Sequence, residues 1–442
     1  MISLQNNSKN KKLIVVFAVG LVALLALRDL GGIQYSKYLL LLYTALFLFI
    51  GDEQEIIYML CFIFPLLNGL PGTYILLAAV LLIVLKRKVL PAKVFGLVVF
   101  YGLLEFFASI WYPASNITEI VGYMLTLFIF LFFLHGEFDV DYRKCIELYI
   151  IGVFVFCFID IISGIRYSSG NWLTYVSTGQ FRFGRMQTGE ALMRIGGNAN
   201  ELAYYAIVAT FSGLFLVRVR AENKLKKVLI VLCTIFIMIA GSLSLSRSYV
   251  LSILILLLIF VLFNLRGVRK IISAGLIIGL LAAIIYILIQ KNPEIYQGFI
   301  TRFSDENVLT GNGRTLIYKE HMKAWAIDIR TILFGAGVTQ YVDALGLVSA
   351  QHNMILQIIE CYGIFGALVF FVTIIKPVKG FIKERLPIEA WLPILSVLIF
   401  TQSIQFVNPY NLMLHYIIGV FVLRCAKEIQ YFNGDEKSGR TI

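Results

Sequence analysis

Long apolar runs alternate with short polar segments along this chain. A run of about 20 apolar residues crosses the hydrocarbon core of a membrane as a helix. Fourteen runs are of suitable character, at 13–27, 33–50, 56–70, 73–85, 94–112, 117–134, 145–164, 199–217, 228–243, 249–264, 271–290, 353–375, 388–407 and 412–424. If 56–85 forms one re-entrant hairpin, the count falls to 12. The pattern predicts an all-α, polytopic integral membrane protein with 12–14 transmembrane helices, forming a single membrane domain over residues 1–442.

Composition supports this prediction and excludes a soluble enzyme. Of the 442 residues, 59% are hydrophobic and only 14% charged, whereas soluble domains average roughly 45–50% apolar and about 25% charged residues. Of the 38 lysines and arginines, 25 fall in the alternate segments that are inside if the N-terminus is inside. The positive-inside rule therefore predicts cytoplasmic N- and C-termini. The net charge of +12 is then a feature of topology, and no nucleic-acid partner is expected.

Two predicted extracytoplasmic loops are much longer than the others, at 165–197 and 291–351. Long loops in compact proteins are commonly functional. Within the second loop, residues 314–329 have helical character, with a turn at 311–313 before them and Phe334-Gly335-Ala336-Gly337 ending the segment. We expect this amphipathic helix to lie on the outer membrane surface.

Polar residues cluster where these loops meet the predicted spans. The first cluster, GGNANELA at 196–203, contains Asn200; it is either a helix cap or a sugar or phosphate contact. The second, Ser242-Leu243-Ser244-Leu245-Ser246-Arg247-Ser248, which contains SLSRS at 244–248, is a tight turn. Arg247 either snorkels to lipid headgroups or faces the bundle and binds phosphate with both arms of its guanidinium.

The third and fourth clusters border the second long loop. Arg314 follows a Gly-Asn-Gly turn and precedes Trp325; it is either an exposed arginine or a second cation for the same anion. Asn353, Gln357 and Glu360 stand at i, i+4 and i+7 on one helix face, and His352 precedes this stripe. Intramembrane polar residues of this kind are functional candidates because lipid exposure is costly. His321 lies in the middle of the loop beside no polar stripe, and His135 and His415 are equally poorly placed.

Four features in this order resemble the O-antigen ligase and polymerase superfamily, which includes Wzy-type polymerases. They are GGNANELA, the serine-arginine turn SLSRS, GR followed by a tryptophan before LFGAG, and QHNMILQIIECYGIFG. The resemblance covers about residues 195–375. It implies transfer of a glycan from an undecaprenyl-diphosphate carrier on the outer face of the bacterial cytoplasmic membrane. Phosphate-binding roles fall on Arg247 and Arg314, and the catalytic role falls on His352.

The implied enzyme is a metal-independent glycosyltransferase that makes O-antigen of lipopolysaccharide or capsular polysaccharide. No cofactor is expected, since two arginines can stabilise the leaving diphosphate and a histidine can accept the proton of the attacking hydroxyl. Asn200, Trp325, Asn353, Gln357 and Glu360 are candidate glycan contacts. The expected partners are the lipid-linked donor and acceptor, the bilayer, a chain-length regulator and a flippase.

Other classes of protein stay open at this level. An O-antigen ligase would transfer the glycan to a different acceptor. A polysaccharide flippase has 12–14 spans but should carry more mid-span charges. A peptidoglycan polymerase would use an acidic loop residue, for which the candidates are Asp305, Glu306, Asp328 and Asp343.

Overall fold

The computed structural model describes residues 7–86, 91–112, 117–168, 171–177, 182–184, 198–219, 224–264, 290, 293–303, 314–338, 341–347, 350, 352–404, 406–407 and 412–438. Every element in these ranges is helical. The elements are α1 Asn7–Asp29, α2 Lys37–Ile50, α3 Glu53–Ile63, a 3₁₀ segment Phe64–Gly69, α4 Gly72–Lys86, α5 Ala92–Trp111, α6 Ile117–His135, α7 Tyr142–Tyr167, α8 Trp172–Ser177, α9 Ala199–Arg218, α10 Lys224–Leu243, α11 Arg247–Asn264, α12 Pro293–Phe303, α13 Arg314–Trp325, α14 Ile329–Phe334, α15 Tyr341–Ala344, α16 Met354–Ile382, α17 Ile388–Phe400 and α18 Leu414–Ser438.

Six described helices are long and apolar enough to cross a membrane: α5, α6, α7, α9, α10 and α16. Four shorter apolar helices, α2, α4, α11 and α17, add to them. The prediction of an all-α membrane protein is therefore confirmed. The predicted span 271–290 lies outside the described residues except for its last residue, and most of the predicted loop 165–197 also lies outside them. The number of spans and the location of the termini stay predictions.

Basic residues meet at one end of the bundle, here called the basic end. Lys86, which ends α4, donates to the carbonyl of Phe49 at 3.0 Å. Other contacts at this end join the starts of α7, α10 and α17 with the ends of α6, α9, α16 and α18. They are Arg143–Glu147, Lys226–Glu147, Arg218–Glu389, Lys427–Glu384 and the bond from Arg424 to the carbonyl of Leu134. Loops that are alternate in the sequence therefore share one end, as the charge pattern predicts.

The opposite end, here called the loop end, is where α1 ends and α9, α11 and α16 begin. The buried Arg28 of α1 donates to the carbonyl of Gly69 at 2.6 Å. Tyr58, in the same α3–3₁₀ segment, accepts a hydrogen bond from the backbone of Asp141 at the basic end. Helix α3 and the 3₁₀ segment span about 28 Å at their usual rises. They therefore run from one end of the bundle to the other instead of forming a shallow hairpin.

A capping box explains why the segment 51–55 is acidic although it lies at the basic end. The Asp52 carboxylate accepts from the backbone N–H of Glu55, and the Glu55 carboxylate accepts from the backbone N–H of Asp52, each at 2.8 Å. These bonds satisfy amide groups that are otherwise open at the first turn of α3. Acidic residues also interact favourably with the helix dipole there.

The part of the second long loop that follows α14 packs deep against α16, while the position of the 314–329 helix on the membrane surface stays a prediction. Helix α16 is broken at Gly363, whose backbone adopts φ 64° and ψ −173°. The N–H groups of Ala336 and Gly337, which follow α14, donate to the carbonyls of Glu360 and Cys361 at 2.8 and 3.0 Å. The side chain of Glu105 in α5 accepts from the N–H of Val338 at 2.8 Å. This segment, Gly335–Val338, is therefore held between two apolar helices.

We predict that Gly335→Ala weakens the packing of this segment on α16. Gly335 has φ 81°, and a Cβ there would overlap the backbone of Cys361. Both effects oppose the native conformation, so the expected loss exceeds about 1 kcal/mol. The measurement is the melting temperature of the purified, detergent-solubilised protein. Gly380→Ala in α16 is the control, because no atom lies within 4 Å of the added carbon there. Equal melting temperatures for the two variants would contradict the prediction.

Candidate functional site

Two of the predicted polar clusters are in direct contact at the loop end. The side-chain carbonyl of Asn200, in the first turn of α9, accepts a hydrogen bond from the hydroxyl of Ser246 at 2.9 Å. Arg247 follows Ser246, is half-buried and begins α11. The motifs GGNANELA and SLSRS therefore form one polar surface, although more than forty residues separate them.

Local hydrogen bonds explain how this contact is built. Asn198, not Asn200, caps α9: its side chain accepts from the backbone N–H of Asn200 at 2.9 Å. The capping interpretation thus applies to the neighbouring asparagine, and the side chain of Asn200 faces Ser246. In the turn before α11, the hydroxyl of Ser244 accepts from the N–H of Ser246 at 3.2 Å, and Leu245 has φ 50°. The serines therefore close the turn immediately before Arg247.

A buried carboxylate lies beside this surface. Glu201 is fully buried, and the side-chain amide of Asn68 donates to its carboxylate at 2.7 Å. The same amide donates to the hydroxyl of Tyr205 at 3.3 Å. Asn68 belongs to the 3₁₀ segment and was missed by sequence reasoning. Its position just before Gly-Leu-Pro-Gly in an otherwise apolar stretch is the only signal that marks it.

His321 and Glu360 form the second part of the site, and this corrects the sequence prediction for His321. Nδ1 of His321 lies 3.0 Å from both carboxylate oxygens of Glu360. Both side chains are almost completely buried, at 1% and 0% exposure. The sequence places His321 in mid-loop, beside no polar stripe. In the folded protein, α13 packs on α16, so His321 meets the inner end of the stripe predicted for Asn353, Gln357 and Glu360.

Arg314 and His352 lie close to this pair. Arg314 begins α13, and a spacing of seven residues places it on the same helix face as His321. Burial of its imidazole lowers the pKa of His352, and the positive charges of Arg314 and His321 lower it further. The ordinary pKa of histidine is about 6.5. A lowered value means that His352 is neutral at pH 7 and able to accept a proton.

The backbone of His352 is unusual in having φ 51°. A residue with a side chain rarely adopts the left-handed region, and such strain is often found at functional sites. Asn353, immediately after it, caps α16 by accepting from the N–H of Leu356 at 3.1 Å. His352 is therefore held at the mouth of α16, one residue outside the helix.

The second part of the site is tied to the end of α17. The N–H of Met354 donates to the carbonyl of Thr401, and the Asn353 amide donates to the carbonyl of Gln402, at 2.9 and 3.3 Å. Helix α11, which begins at Arg247, also packs on α17. The alternation of helix directions puts the start of α11 and the end of α17 at the same end of the bundle. Arg247 and His352 therefore lie at the same end of the bundle.

The side chains of three candidate glycan contacts form hydrogen bonds with backbone groups of the protein. The side-chain carbonyl of Gln357 accepts from the N–H groups of Phe406 and Val407, at 2.8 and 3.1 Å. The indole of Trp325 donates to the carbonyl of Thr331 at 2.9 Å, which ties α13 to α14. Asn353 is the helix cap described above. The predicted turn at 311–313, along with Asp305, Glu306, Gln351, Gly196 and Gly197, lies outside the described residues.

No protein-family model matches the chain, and no curated protein matches it. The resemblance to the O-antigen ligase and polymerase superfamily therefore depends on its four motifs.

We predict that removing either member of the His321–Glu360 pair releases α13 from α16. Hydrogen exchange of the full-length protein should show faster exchange over 314–325 in His321→Ala and in Glu360→Ala. The double variant should exchange no faster than the single ones, because a shared contact of about 1–3 kcal/mol can be lost only once. Glu360→Gln keeps an oxygen acceptor and should be milder.

The control is Lys319→Ala on the exposed face of the same helix. It should leave exchange over 314–325 unchanged. Strictly additive effects of the two alanine substitutions would show that His321 and Glu360 do not act together.

Proposed function

We propose that the protein is a glycosyltransferase that polymerises undecaprenyl-diphosphate-linked repeat units into O-antigen or capsular polysaccharide. The reaction is assigned to the loop end, which faces outward across the bacterial cytoplasmic membrane if the basic end is cytoplasmic. The observation that carries the proposal is the grouping of Arg314, His321 and His352 at the mouth of α16. The polar surface around Asn200, Ser246 and Arg247 lies at the same end of the bundle, so cations and a proton acceptor share this end.

The proposed step needs a cation and a base in these places. A hydroxyl oxygen of the acceptor sugar attacks the anomeric carbon of the donor, and the bond from that carbon to the diphosphate oxygen breaks. The electron pair of that bond leaves with the diphosphate, whose charge Arg247 and Arg314 stabilise. The neutral His352 takes the proton of the attacking hydroxyl and returns it to solvent.

His321 and Glu360 have a positioning role in this proposal. Their buried contact fixes α13 against α16, and α13 carries Arg314 at its first residue. The carboxylate also fixes the orientation of the imidazole by accepting from its Nδ1–H. Glu360 is thereby engaged with His321, which supports His352 over Glu360 as the base.

The alternative acidic residues of a peptidoglycan polymerase gain less support. The Asp328 carboxylate caps α14 and pairs with Arg330, with a closest distance of 2.6 Å. Hydrogen bonds from Arg330 lower the pKa of Asp328. The Asp328 carboxylate is therefore a poor proton acceptor at neutral pH. Asp343 is exposed on the four-residue helix α15.

The glycan profile of a deletion strain tests the proposed function. A polymerase mutant should retain single repeat units on its surface. Long chains left on undecaprenyl diphosphate would instead identify a ligase, and the loss of all outward-facing glycan would identify a flippase. Either of those results contradicts polymerisation as the activity.

We predict that His352→Ala abolishes long polymer while the protein stays in the membrane. General-base catalysis typically contributes about 10²–10⁴-fold to a rate, so chain length should fall to one or a few repeat units. The measurement is the length distribution of surface glycan together with a membrane immunoblot. His135→Ala, at the basic end, is the matched control because its histidine contacts Lys93 far from the site. His321→Ala is unsuitable as a neutral control because of its buried contact. Polymer of normal length in His352→Ala would show that another group is the base.

We predict that two substitutions of Arg314 separate its charge from its geometry. Arg314→Gln removes a positive charge near His352, so the pKa of His352 rises and the acidic limb of the pH–activity profile moves to higher pH. Arg314→Lys keeps the charge and leaves this limb in place. Both variants lose turnover, because neither provides the two-pronged guanidinium contact to phosphate. The measurement is initial rate against pH for the purified protein. An acidic limb that is identical in Arg314→Gln and the unmodified protein would contradict the electrostatic contact.

A further inference from the structure

A cavity with several polar residues in a largely apolar lining opens at the loop end. Its volume is about 630 Å³, and it lies where α1 ends, α2 begins and the 3₁₀ segment ends. Ligand sites for small molecules commonly have volumes of about 300–1,000 Å³. The polar groups that line it belong to Arg28, Tyr35, Ser36, Lys37 and Asn68, with the backbone of Gly69.

Arg28 presents a rigid guanidinium to this cavity. Its side chain is only 5% exposed, and Nε and Nη2 donate to the carboxylate of Asp29 at 2.6 and 2.8 Å. Nη1 donates to the carbonyl of Gly69 at 2.6 Å. A guanidinium has five N–H groups, so these three bonds leave two for a ligand. Asp29 is fully buried and does not line the cavity.

Lys37 adds a second cation at the rim. It is exposed at the first residue of α2, and its ammonium group lies 5.9 Å from the ring centre of Tyr38. Among the described residues that line the cavity, none is acidic. The charge of Arg28 is paired with Asp29, so the polar part of the lining offers the N–H groups of Arg28 and the positive charge of Lys37. An acceptor-rich anion such as a phosphate group fits this chemistry.

The cavity and the proposed donor site are joined by the first turn of α9. Asn68 lines the cavity and donates to Glu201 in that turn. The preceding residue, Asn200, accepts from Ser246 on the other side, next to Arg247. The first turn of α9 thus contacts both the cavity and the turn that precedes Arg247.

We propose that this cavity is a second phosphate-binding site, which holds the diphosphate of a membrane-anchored lipid. This inference rests on the proposed function, in which the lipid here is the acceptor and the lipid at Arg247 and Arg314 is the donor. A polymerase that joins two lipid-linked units uses a donor and an acceptor that each carry a diphosphate. The cavity supplies the second place, within reach of lipid because it lies at the ends of apolar helices.

Binding of farnesyl diphosphate to the full-length protein in nanodiscs tests the site. Native mass spectrometry should show two equivalents bound to the unmodified protein. Lys37→Glu should lose one of them, with at least about tenfold weaker binding, since a charge-assisted contact becomes a repulsive one. An acidic residue is well tolerated in the first turn of a helix, so this variant should fold. Lys224→Glu, an exposed lysine at the first residue of α10, is the charge-matched control and should keep both equivalents.

The outcomes separate this inference from the proposed function. If the double variant Arg247→Ala/Arg314→Ala still binds one equivalent, and adding Lys37→Glu removes it, the second site is supported. This result does not depend on whether the donor site binds the diphosphate. If Lys37→Glu keeps both equivalents, the second site is wrong and the donor site is untouched. If phosphatidylglycerol displaces the Lys37-dependent equivalent as effectively as farnesyl diphosphate, the cavity is an ordinary headgroup site and the assignment to a diphosphate lipid is overturned.

Discussion

The break in α16 at Gly363 is the constraint on which the loop end depends. Inside a membrane, each backbone polar group needs a partner within the protein, because lipid offers none. The break leaves the carbonyls of Glu360 and Cys361 without their usual helical donors. The N–H groups of Ala336 and Gly337 fill these positions, and Glu105 in turn accepts from Val338. A piece of the second long loop is therefore part of the membrane-embedded core.

The contact between the loop and the break in α16 determines where Arg314 and His321 lie. Because the loop is held at the break, α13 and α14 pack on the first half of α16. His321 then meets Glu360, and Arg314 lies two turns earlier on the same face of α13. His352 precedes α16 itself. Arg314, His321 and His352 thus all take their positions from α16. The start of α11 lies at the same end of the bundle.

Much of the fold follows from the hydrophobic pattern, because each apolar helix must lie in lipid or in the core. The alternate placement of basic loops also agrees with the contacts made by Lys86, Arg218 and Arg424. The stripe of Asn353, Gln357 and Glu360 is predicted from helical spacing. The partner of Glu360 is not, because His321 is 39 residues away along the chain and only the break at Gly363 brings the two elements together. The same holds for Asn68 and Glu201, which are 133 residues apart.

Polar residues at helix ends show a second limit of sequence reasoning. Asn353, Gln357 and Trp325 look like glycan contacts when read along the chain, yet their side chains bond to backbone groups of the protein. A cap or a bond to a distant turn uses the same residue types as a sugar site, so composition does not distinguish them. Arg28, Lys86 and Arg424 also donate to backbone carbonyls, so a positive charge alone does not mark a binding residue. Arg314 and His352 stand out by the electrostatic influence of the arginine on the histidine at the mouth of α16.

The most direct test of the account is a reaction with purified protein and a lipid-diphosphate-linked repeat unit. The account predicts that longer lipid-linked glycans form and that one undecaprenyl diphosphate is released for each glycosidic bond, with chelator present. It also predicts that the same preparation of His352→Ala releases none. Elongation without release of the lipid diphosphate, or release without elongation, would contradict the transfer proposed at the loop end.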